Sequence, residues 1–352
     1  SGPIVTHRSR TSAEVVASRA RPIDLLRLLS GHDRPVLVRH HGRTLVAADP
    51  VETVTGTAVW DAAAMPLTAS AAAGHPLADT WIGLLAYDFG RTLETLPPAR
   101  PFPSGPPAAT LSRYPVLAVH DEREGWMVVG PTPRRSELAA LLSSAMPADT
   151  PAARGGPVTT SLPDSAYLDA VARAQELIAA GDCYQVNLAQ RLMASWDADP
   201  LALAARLWHA TGAASHRAFL DLPEGQLVSA SPERLVSAAG GVALSEPIKG
   251  TARRGAPWPE IATAKNRAEH VMIVDLVRND LGRVARVGGV TVPALMRRLT
   301  TPYVDHMVST VRAELRPGST AADLLRAVFP GGSVTGAPKI RSMEIIDDLE
   351  PA

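Results

Sequence analysis

A chain of 352 residues with 46% hydrophobic residues is long enough to bury a large core or to form two domains, so disorder is not its expected state. Its formal net charge is +0 and it has no basic stripe with interleaved aromatic residues, which argues against a nucleic-acid partner and favours a small ligand. The single cysteine, Cys183, excludes an internal disulfide and a cysteine-rich metal site. Apolar runs are too short to cross a bilayer, and we therefore expect a cytoplasmic protein with no membrane partner.

The first 150 residues are predicted to form mainly β-sheet. Short runs rich in Val, Leu and aromatic residues alternate with Gly and Pro, which is typical of strands. The predicted strands cover residues 35–38, 44–48, 81–87, 116–119 and 126–130, and a helix is predicted at 23–29. A Pro-rich and Gly-rich stretch at 151–163 favours extended chain, so we divide the sequence into regions 1–150 and 164–352.

The second region opens with a helix and then changes period. The helix begins near Asp164, carries apolar residues on one face and ends at Gly181. Residues 183–192 then alternate like a strand and place Gln185 and Asn187 on one polar face. This polar face could be exposed to water. If it is instead buried, its side-chain amides need hydrogen-bond partners from the protein or from a ligand. Further predicted elements are a helix at 201–208 and strands at 218–222, 227–231, 235–238 and 242–244.

Lys249 follows these strands, between Pro247-Ile248 and a Gly-Thr corner at Gly250 and Thr251. As with most lysines, it could lie on a solvated surface at a strand end. A lysine held at a glycine-marked corner can instead be desolvated, which lowers its pKa and yields the neutral amine that covalent chemistry needs. The local sequence leaves both readings open.

Two later segments also carry candidate chemistry. The helix predicted at 266–280 has an apolar side interrupted by charged residues, so Glu269 is either solvent-exposed or a carboxylate directed toward a site. The glycine-rich loop, residues 329–339, leads into a helix with Pro338 near its first turn. Free backbone amides and the positive end of a helix dipole favour binding of an anion there.

The order and the amino-acid sequences of these segments closely resemble those of the chorismate-utilising enzymes, and most of all those of the component I subunits of aminodeoxychorismate synthases. Six phrases occur in that family's order. They are Gly-Asp-Cys-Tyr-Gln-Val-Asn-Leu-Ala-Gln (181–190), Ser-Pro-Glu-Arg (231–234), Pro-Ile-Lys-Gly-Thr (247–251), the Glu-His-Val-Met-Ile-Val-Asp-Leu-Val-Arg-Asn-Asp-Leu-Gly-Arg-Val run (269–284), Tyr-Val-Asp-His-Met-Val-Ser (303–309), which contains His306, and the glycine-rich loop.

The resemblance implies a fold and a set of site residues. The fold would be α+β, with two large antiparallel sheets packed as a sandwich, helices outside, and the C-terminal part of the family fold missing because the family continues past Ala352. Displacing the C4 hydroxyl of chorismate requires a general acid, a nucleophile and a cation that holds a carboxylate. The implied roles are Glu233 as acid, Lys249 as nucleophile, Glu269 as a Mg²⁺ ligand, and Gln185, Gly250, Thr251, His306, Gly336 and Ala337 as substrate contacts.

Two positions imply the subfamily. Family members that add water carry a lysine at the position of Gln185, whereas the members that use ammonia do not. Among the ammonia users, anthranilate synthases carry alanine at the position of Lys249. The resemblance therefore implies magnesium-dependent amino transfer to chorismate, giving 4-amino-4-deoxychorismate for para-aminobenzoate and folate synthesis. Ammonia would come from a glutamine amidotransferase partner. The alternatives are component I of anthranilate synthase, or a catalytically silent chorismate-binding subunit.

Overall fold

The computed structural model of this chain describes residues 12–40, 42–67, 77, 79–96, 109–149, 155–211 and 216–350. The strands in these ranges are β1 Ser12–Val16, β2 Val36–His40, β3 Arg43–Ala47, β4 Glu52–Thr55, β5 Thr80–Leu85, β6 Ala109–Tyr114, β7 Leu117–Asp121, β8 Gly125–Gly130, β9 Thr159–Thr160, β10 Gln185–Val186, β11 Leu192–Met193, β12 His216–Leu222, β13 Gly225–Ser231, β14 Arg234–Ala239, β15 Val242–Glu246, β16 Ile248–Arg253, β17 Ala285–Thr300, β18 Val304–Leu315 and β19 Gly336–Ala337. The α-helices are α1 Pro22–Leu28, α2 Val59–Ala62, α3 Arg134–Ser144, α4 Asp164–Ala179, α5 Pro200–Thr211, α6 Trp258–Ile261, α7 Ala264–Gly282, α8 Ala321–Val328 and α9 Lys339–Leu349.

A seven-stranded antiparallel sheet in the order β1-β8-β7-β3-β2-β12-β13 contains most of the predicted N-terminal strands. Its outer face is covered by α1, α3 and α5, whose apolar residues, including Leu26, Leu142 and Trp208, join one core cluster. Strands β12 and β13 follow residue 163 in the chain, yet β12 pairs directly with β2. The division of the sequence at 151–163 stays a prediction, and strands from both sides of it form this sheet.

The inner face of the seven-stranded sheet packs on a smaller antiparallel sheet in the order β4-β6-β5. Buried Ile82 and Tyr114 of the smaller sheet lie in one cluster with Leu117 and Leu220 of the larger sheet. Beyond the smaller sheet, α2 and α8 contribute Trp60 and Ala322 to a further cluster. The two sheets therefore form a sandwich with helices on both sides.

The second large sheet is antiparallel, with the order β14-β15-β18-β16, and β17 also pairs with β18. Helices α7 and α8 cover one face through Val274, Leu281, Leu324 and Val328. The predicted α+β class, with two large antiparallel sheets and helices outside, is confirmed. One local difference concerns residues 183–192, which were predicted to form one strand. They contain β10 and the start of β11, two separate two-residue strands, because their partners β19 and β9 are also only two residues long.

None of the helices in the described ranges combines the length and apolar character that a bilayer span requires. The cytoplasmic location stays a prediction.

Candidate active site

Lys249 and Gly250 occupy a bulge in β16. Ile248 pairs with Val308 and Thr251 pairs with His306, so the two intervening residues stand opposite one residue of β18. Gly250 has φ +82°, and a Cβ there would lie 2.6 Å from the carbonyl oxygen of Ile261, so a side chain does not fit. Bulges bend a strand and redirect its side chains, which is how the half-buried Lys249 leaves the regular strand pattern.

Glu233 lies in the tight turn between β13 and β14, and its carboxylate is directed toward the bulge. The backbone N–H of Ile248 and the hydroxyl of Ser333 donate to it, the latter over 2.7 Å, and the charge of Lys249 is close enough to act on it. Burial raises the pKa of Glu233 above its ordinary value, while the two hydrogen bonds and Lys249 oppose that rise. A carboxyl group with a raised pKa retains its proton at higher pH, as a general acid must.

The glycine-rich loop reaches Glu233 through Ser333 because its glycines permit close packing. A Cβ at Gly332 would lie 2.5 Å from Cδ2 of Leu276 on α7. A Cβ at Gly336, whose φ is +144°, would lie 2.0 Å from the carbonyl oxygen of Gln185. Gly336 and Ala337 pair with Val186 and Gln185 as strands β19 and β10, just before helix α9. The loop is thereby held against both the carboxylate-bearing helix and the Gln185 strand.

Gln185 brings a polar side chain to this loop. Its side-chain oxygen is buried and has no hydrogen-bond partner in the described part of the chain. An unpaired buried carbonyl is costly, so a donor group of a ligand would satisfy it. This observation fits the substrate contact that the resemblance implies.

Thr251 and His306 form a second pair across the strands. The Thr251 hydroxyl lies 2.8 Å from Nδ1 of His306, whose side chain is buried on β18. Burial lowers the pKa of His306, while the neighbouring Asp305 opposes this effect. A neutral imidazole is therefore favoured, and it can exchange a hydrogen bond with Thr251 or with a substrate oxygen.

Glu269 lies on the accessible side of α7. Its side chain is 38% exposed, and its carboxylate lies 3.7 Å from the ammonium group of Lys265. No cluster of three His, Cys, Asp or Glu side chains suited to a metal ion occurs in the described ranges. Magnesium is commonly held by one or two carboxylates with waters and substrate oxygens, so Glu269 can serve as one ligand but does not form a protein cage.

Three residues to which the sequence assigns no role also border the site. His270 is fully buried, its Nε2 lies 2.6 Å from the Ser309 hydroxyl, and Lys249 acts on it electrostatically. Lys339, at the end of the glycine-rich loop, donates to Asp280 over 2.7 Å and to the carbonyl oxygen of Val328. His270, Asp280 and Lys339 stand inside the recognisable phrases, but sequence alone did not reveal which partners they have.

The structure therefore brings Glu233, Lys249 and the glycine-rich loop together, and it pairs Thr251 with His306 and Gln185 with Ala337. Glu269 stands on the same helix as His270, on the more exposed side. The catalytic and binding roles of these residues stay predictions.

Comparison of the sequence with protein families gives a match to the chorismate binding enzymes over residues 32–352. Aminodeoxychorismate synthase component 1 of Salmonella typhimurium is 39% identical over 279 residues, covering 77% of this chain and 61% of that protein. Anthranilate synthase component 1 of Thermus thermophilus is 38% identical over 289 residues, covering 77% of this chain and 62% of that protein. The chain thus spans about three-fifths of the length of these relatives.

Solved structures have the same fold. Anthranilate synthase component I from Streptococcus pneumoniae aligns over 99% of this chain and 79% of its own, with a TM-score of 0.71 and 23% identity. The menaquinone-specific isochorismate synthase MenF from Escherichia coli aligns over 98% of this chain and 79% of its own, with a TM-score of 0.73 and 14% identity. Together with the match over residues 32–352, the shared fold and the ordered phrases lead to one conclusion: the chain belongs to the chorismate binding enzyme family.

Proposed function

We propose that this chain catalyses amination of chorismate at C4, giving 4-amino-4-deoxychorismate for para-aminobenzoate synthesis. The bulge that directs Lys249 toward the Glu233 carboxyl group carries the proposal, because it joins a candidate nucleophile to a candidate acid. Relatives named aminodeoxychorismate synthase component 1 support the choice of reaction. The word component in their names supports a partner subunit, for which we propose a glutamine amidotransferase that supplies ammonia.

The proposed reaction has two displacements. Lys249 first releases its ammonium proton to water. Its amine then attacks the chorismate ring, the C4–O bond breaks, and Glu233 gives its proton to the leaving oxygen, so water departs. Ammonia then attacks C4, and the amine of Lys249 leaves. The proton released by ammonia returns to the Glu233 carboxylate, which restores both residues for the next turnover.

The remaining candidate residues orient the substrate in this proposal. Backbone amides at Gly336 and Ala337, next to α9, would hold a chorismate carboxylate. The unpaired Gln185 oxygen would accept a hydrogen bond from substrate or ammonia, and Thr251 with His306 would contact the other end of the substrate. The backbone of Gly250, next to Thr251, would also contact the substrate.

The proposed reaction also uses a bound Mg²⁺, for which Glu269 would be one ligand. The ion is hard, retains waters and prefers carboxylate oxygens, so it would help to hold a substrate carboxylate and neutralise its charge. The rest of its coordination would come from water, the substrate or residues beyond the described ranges. We assign no bond-making step to it.

Product analysis tests the reaction directly. The chain is incubated with chorismate, an ammonium salt and magnesium, and the products are separated by chromatography. We expect an aminated chorismate that keeps its enolpyruvyl group. Release of anthranilate and pyruvate would instead establish the anthranilate synthase reaction, to which relatives at 38% identity point. Binding of chorismate without any product or covalent adduct would favour a silent binding subunit.

A further inference from the structure

The second large sheet has two faces of different character. Along β18, Val311, Ala313 and Leu315 belong to the core beneath helices α7 and α8. Because side chains alternate along a strand, His306 and Glu314 belong to the opposite face. We call this opposite face, which carries His306 of the candidate active site, the site face. Its side chains are largely charged.

A first group of three charges on the site face lies close to His306. The Glu246 carboxylate of β15 lies 3.0 Å from the guanidinium group of Arg234 on β14 and 2.9 Å from that of Arg297 on β17. Arg297 stands opposite Val308, the next residue of the site face after His306, which is about 7 Å along the strand. One carboxylate is shared by two guanidinium groups, so this group retains one positive charge.

A second group of the same composition lies farther along β18. The Glu314 carboxylate lies 2.9 Å from the guanidinium group of Arg312 and also contacts Arg286 of β17. Arg312 is three positions of the site face away from His306, or about 20 Å. The side chains of both groups are between 21% and 58% exposed, so their charges act on the solvent in front of the sheet. This group also retains one positive charge.

The other charged residues around the site face do not cancel this excess. Lys249 and Glu233 offset each other, and the exposed Arg253 of β16 adds a further positive charge. Asp305 is buried on the helix-covered face, where it pairs with Arg298. The whole chain has a formal net charge of +0, so positive charge is concentrated beside the candidate site. The adjoining segment 254–269 adds three cations and two carboxylates, namely Arg254, Lys265, Arg267, Glu260 and Glu269.

We propose that the excess positive charge of the site face attracts the dianionic substrate and speeds its association, with chorismate, which carries two carboxylate groups, taken from the proposed function. Charge of one sign around a binding face raises encounter rates by roughly 10- to 1,000-fold. This attraction acts through the solvent, so the arginines need not contact the bound substrate. The two glutamates oppose it. The site face thereby favours a dianion over a monoanion or a neutral molecule before any contact forms.

Chorismate association over a salt series tests the attraction without any substitution. The rate constants are measured by stopped-flow fluorescence of Trp258, which lies in α6 beside β16, and calorimetry under the same conditions measures binding. The Debye length is about 30 Å at 0.01 M ionic strength and about 3 Å at 1 M. We therefore expect the association rate constant to fall at least about tenfold over this range, with less than about a twofold change in the dissociation rate constant. An association rate constant that does not depend on salt, or absence of chorismate binding, would overturn the proposal.

Substitutions of opposite sign then locate the charges. At 0.01 M ionic strength, Arg297→Gln is expected to slow association about two- to threefold, and the more distant Arg312→Gln to slow it less. Glu314→Gln removes a carboxylate and should speed association, a result that damage to the fold does not produce. All three variants should approach the unaltered chain at 1 M. Slowing in both Arg297→Gln and Glu314→Gln, or a change confined to the dissociation rate constant, would contradict attraction by the site face.

A matched control and the reaction product separate this attraction from other effects. Arg123→Gln removes an exposed cation from the turn between β7 and β8, in the other large sheet, and should associate with chorismate like the unaltered chain. Salt-dependent association without an aminated product would contradict the proposed function and leave the attraction in place. Amination with salt-independent association would contradict the attraction alone.

Discussion

The Ser333 hydroxyl donates a hydrogen bond of 2.7 Å to the Glu233 carboxylate, although the two residues are 100 positions apart in the chain. This bond joins the glycine-rich loop to the turn before β14. Any movement of the loop therefore changes the surroundings of the candidate acid, and the bond lowers the pKa that burial raises.

Ser333→Ala is expected to raise the pKa of Glu233 further. Loss of the hydrogen bond removes a group that favours the charged carboxylate, so the protonated acid persists to higher pH. The alkaline limb of the amination rate should move to higher pH, and Ser333→Thr, which keeps the hydroxyl group, should restore the original profile. An unchanged limb in Ser333→Ala would contradict a role of this bond in setting the pKa of Glu233.

Lys249→Ala is expected to abolish both covalent adduct and amination while the chain stays folded. The half-buried lysine stem contributes modest packing, so the loss should be chemical. Intact-mass spectrometry after incubation with chorismate measures the adduct, and circular dichroism checks folding. Lys249→Arg, which keeps the charge without the nucleophile, should fail in the same way, whereas Lys265→Ala at an 82% exposed lysine should retain the adduct. An adduct in the Lys249→Ala variant would exclude this lysine as the nucleophile.

Glu269→Gln is expected to weaken the magnesium dependence of chorismate binding. The substitution keeps the size of the side chain but removes the charge that a hard cation prefers. Chorismate affinity is measured by calorimetry over a magnesium series. Asp275→Asn removes an exposed carboxylate from the same helix, where it pairs with Arg278, and should leave the series unchanged. Identical magnesium curves for Glu269→Gln and the unaltered chain would remove Glu269 from the metal site.

His270 is expected to make the fold sensitive to acid. Burial of the imidazole, and to a smaller extent the charge of Lys249, lower the pKa of His270 from 6.5 to about 4. Between these two pH values the unfolded chain therefore binds a proton that the folded chain excludes. Its contribution to stability is complete above pH 6.5 and is lost as the pH falls through about 4, a loss of about 3 kcal/mol in total. Urea unfolding of His270→Gln between pH 7 and 4 should show a correspondingly flatter decline than the unaltered chain. Parallel declines would contradict this assignment.

Asp280→Asn is expected to destabilise the chain by about 3–5 kcal/mol, because it leaves the ammonium group of Lys339 buried without its partner. Both side chains of this pair are only 10% exposed, and the pair fixes the end of the glycine-rich loop against α7. Adding Lys339→Met removes the uncompensated charge and should recover much of the loss in urea unfolding. A double variant as unstable as Asp280→Asn alone would show that the charge is not the cause.

Local patterns sufficed for the elements of regular period. The helix predicted at 266–280 is observed as Ala264–Gly282, and the strands predicted at 218–222 and 227–231 are observed within β12 and β13. Strand β17 was not predicted, because Gly288, Gly289 and three register shifts against β18 interrupt its alternation. When the alternation of apolar and polar residues is interrupted in this way, the sequence gives no local indication of a strand.

For the site, the ordered phrases identified the residue types but not their contacts. The Thr251–His306 and Ser333–Glu233 hydrogen bonds join residues that are 55 and 100 positions apart. Such contacts depend on strand register and loop path, which periodicity does not determine.

The pairing of β12 with β2 also bears on how this chain is made and degraded. Until β12 has been synthesised and docked, β2 is a sheet edge carrying Val36, Leu37 and Val38, and such apolar edges template aggregation. The nascent N-terminal part therefore depends on residues synthesised more than 170 positions later for its protection. A protease cut at 151–163 should leave the two pieces associated, whereas expression of the first 150 residues alone should give insoluble protein.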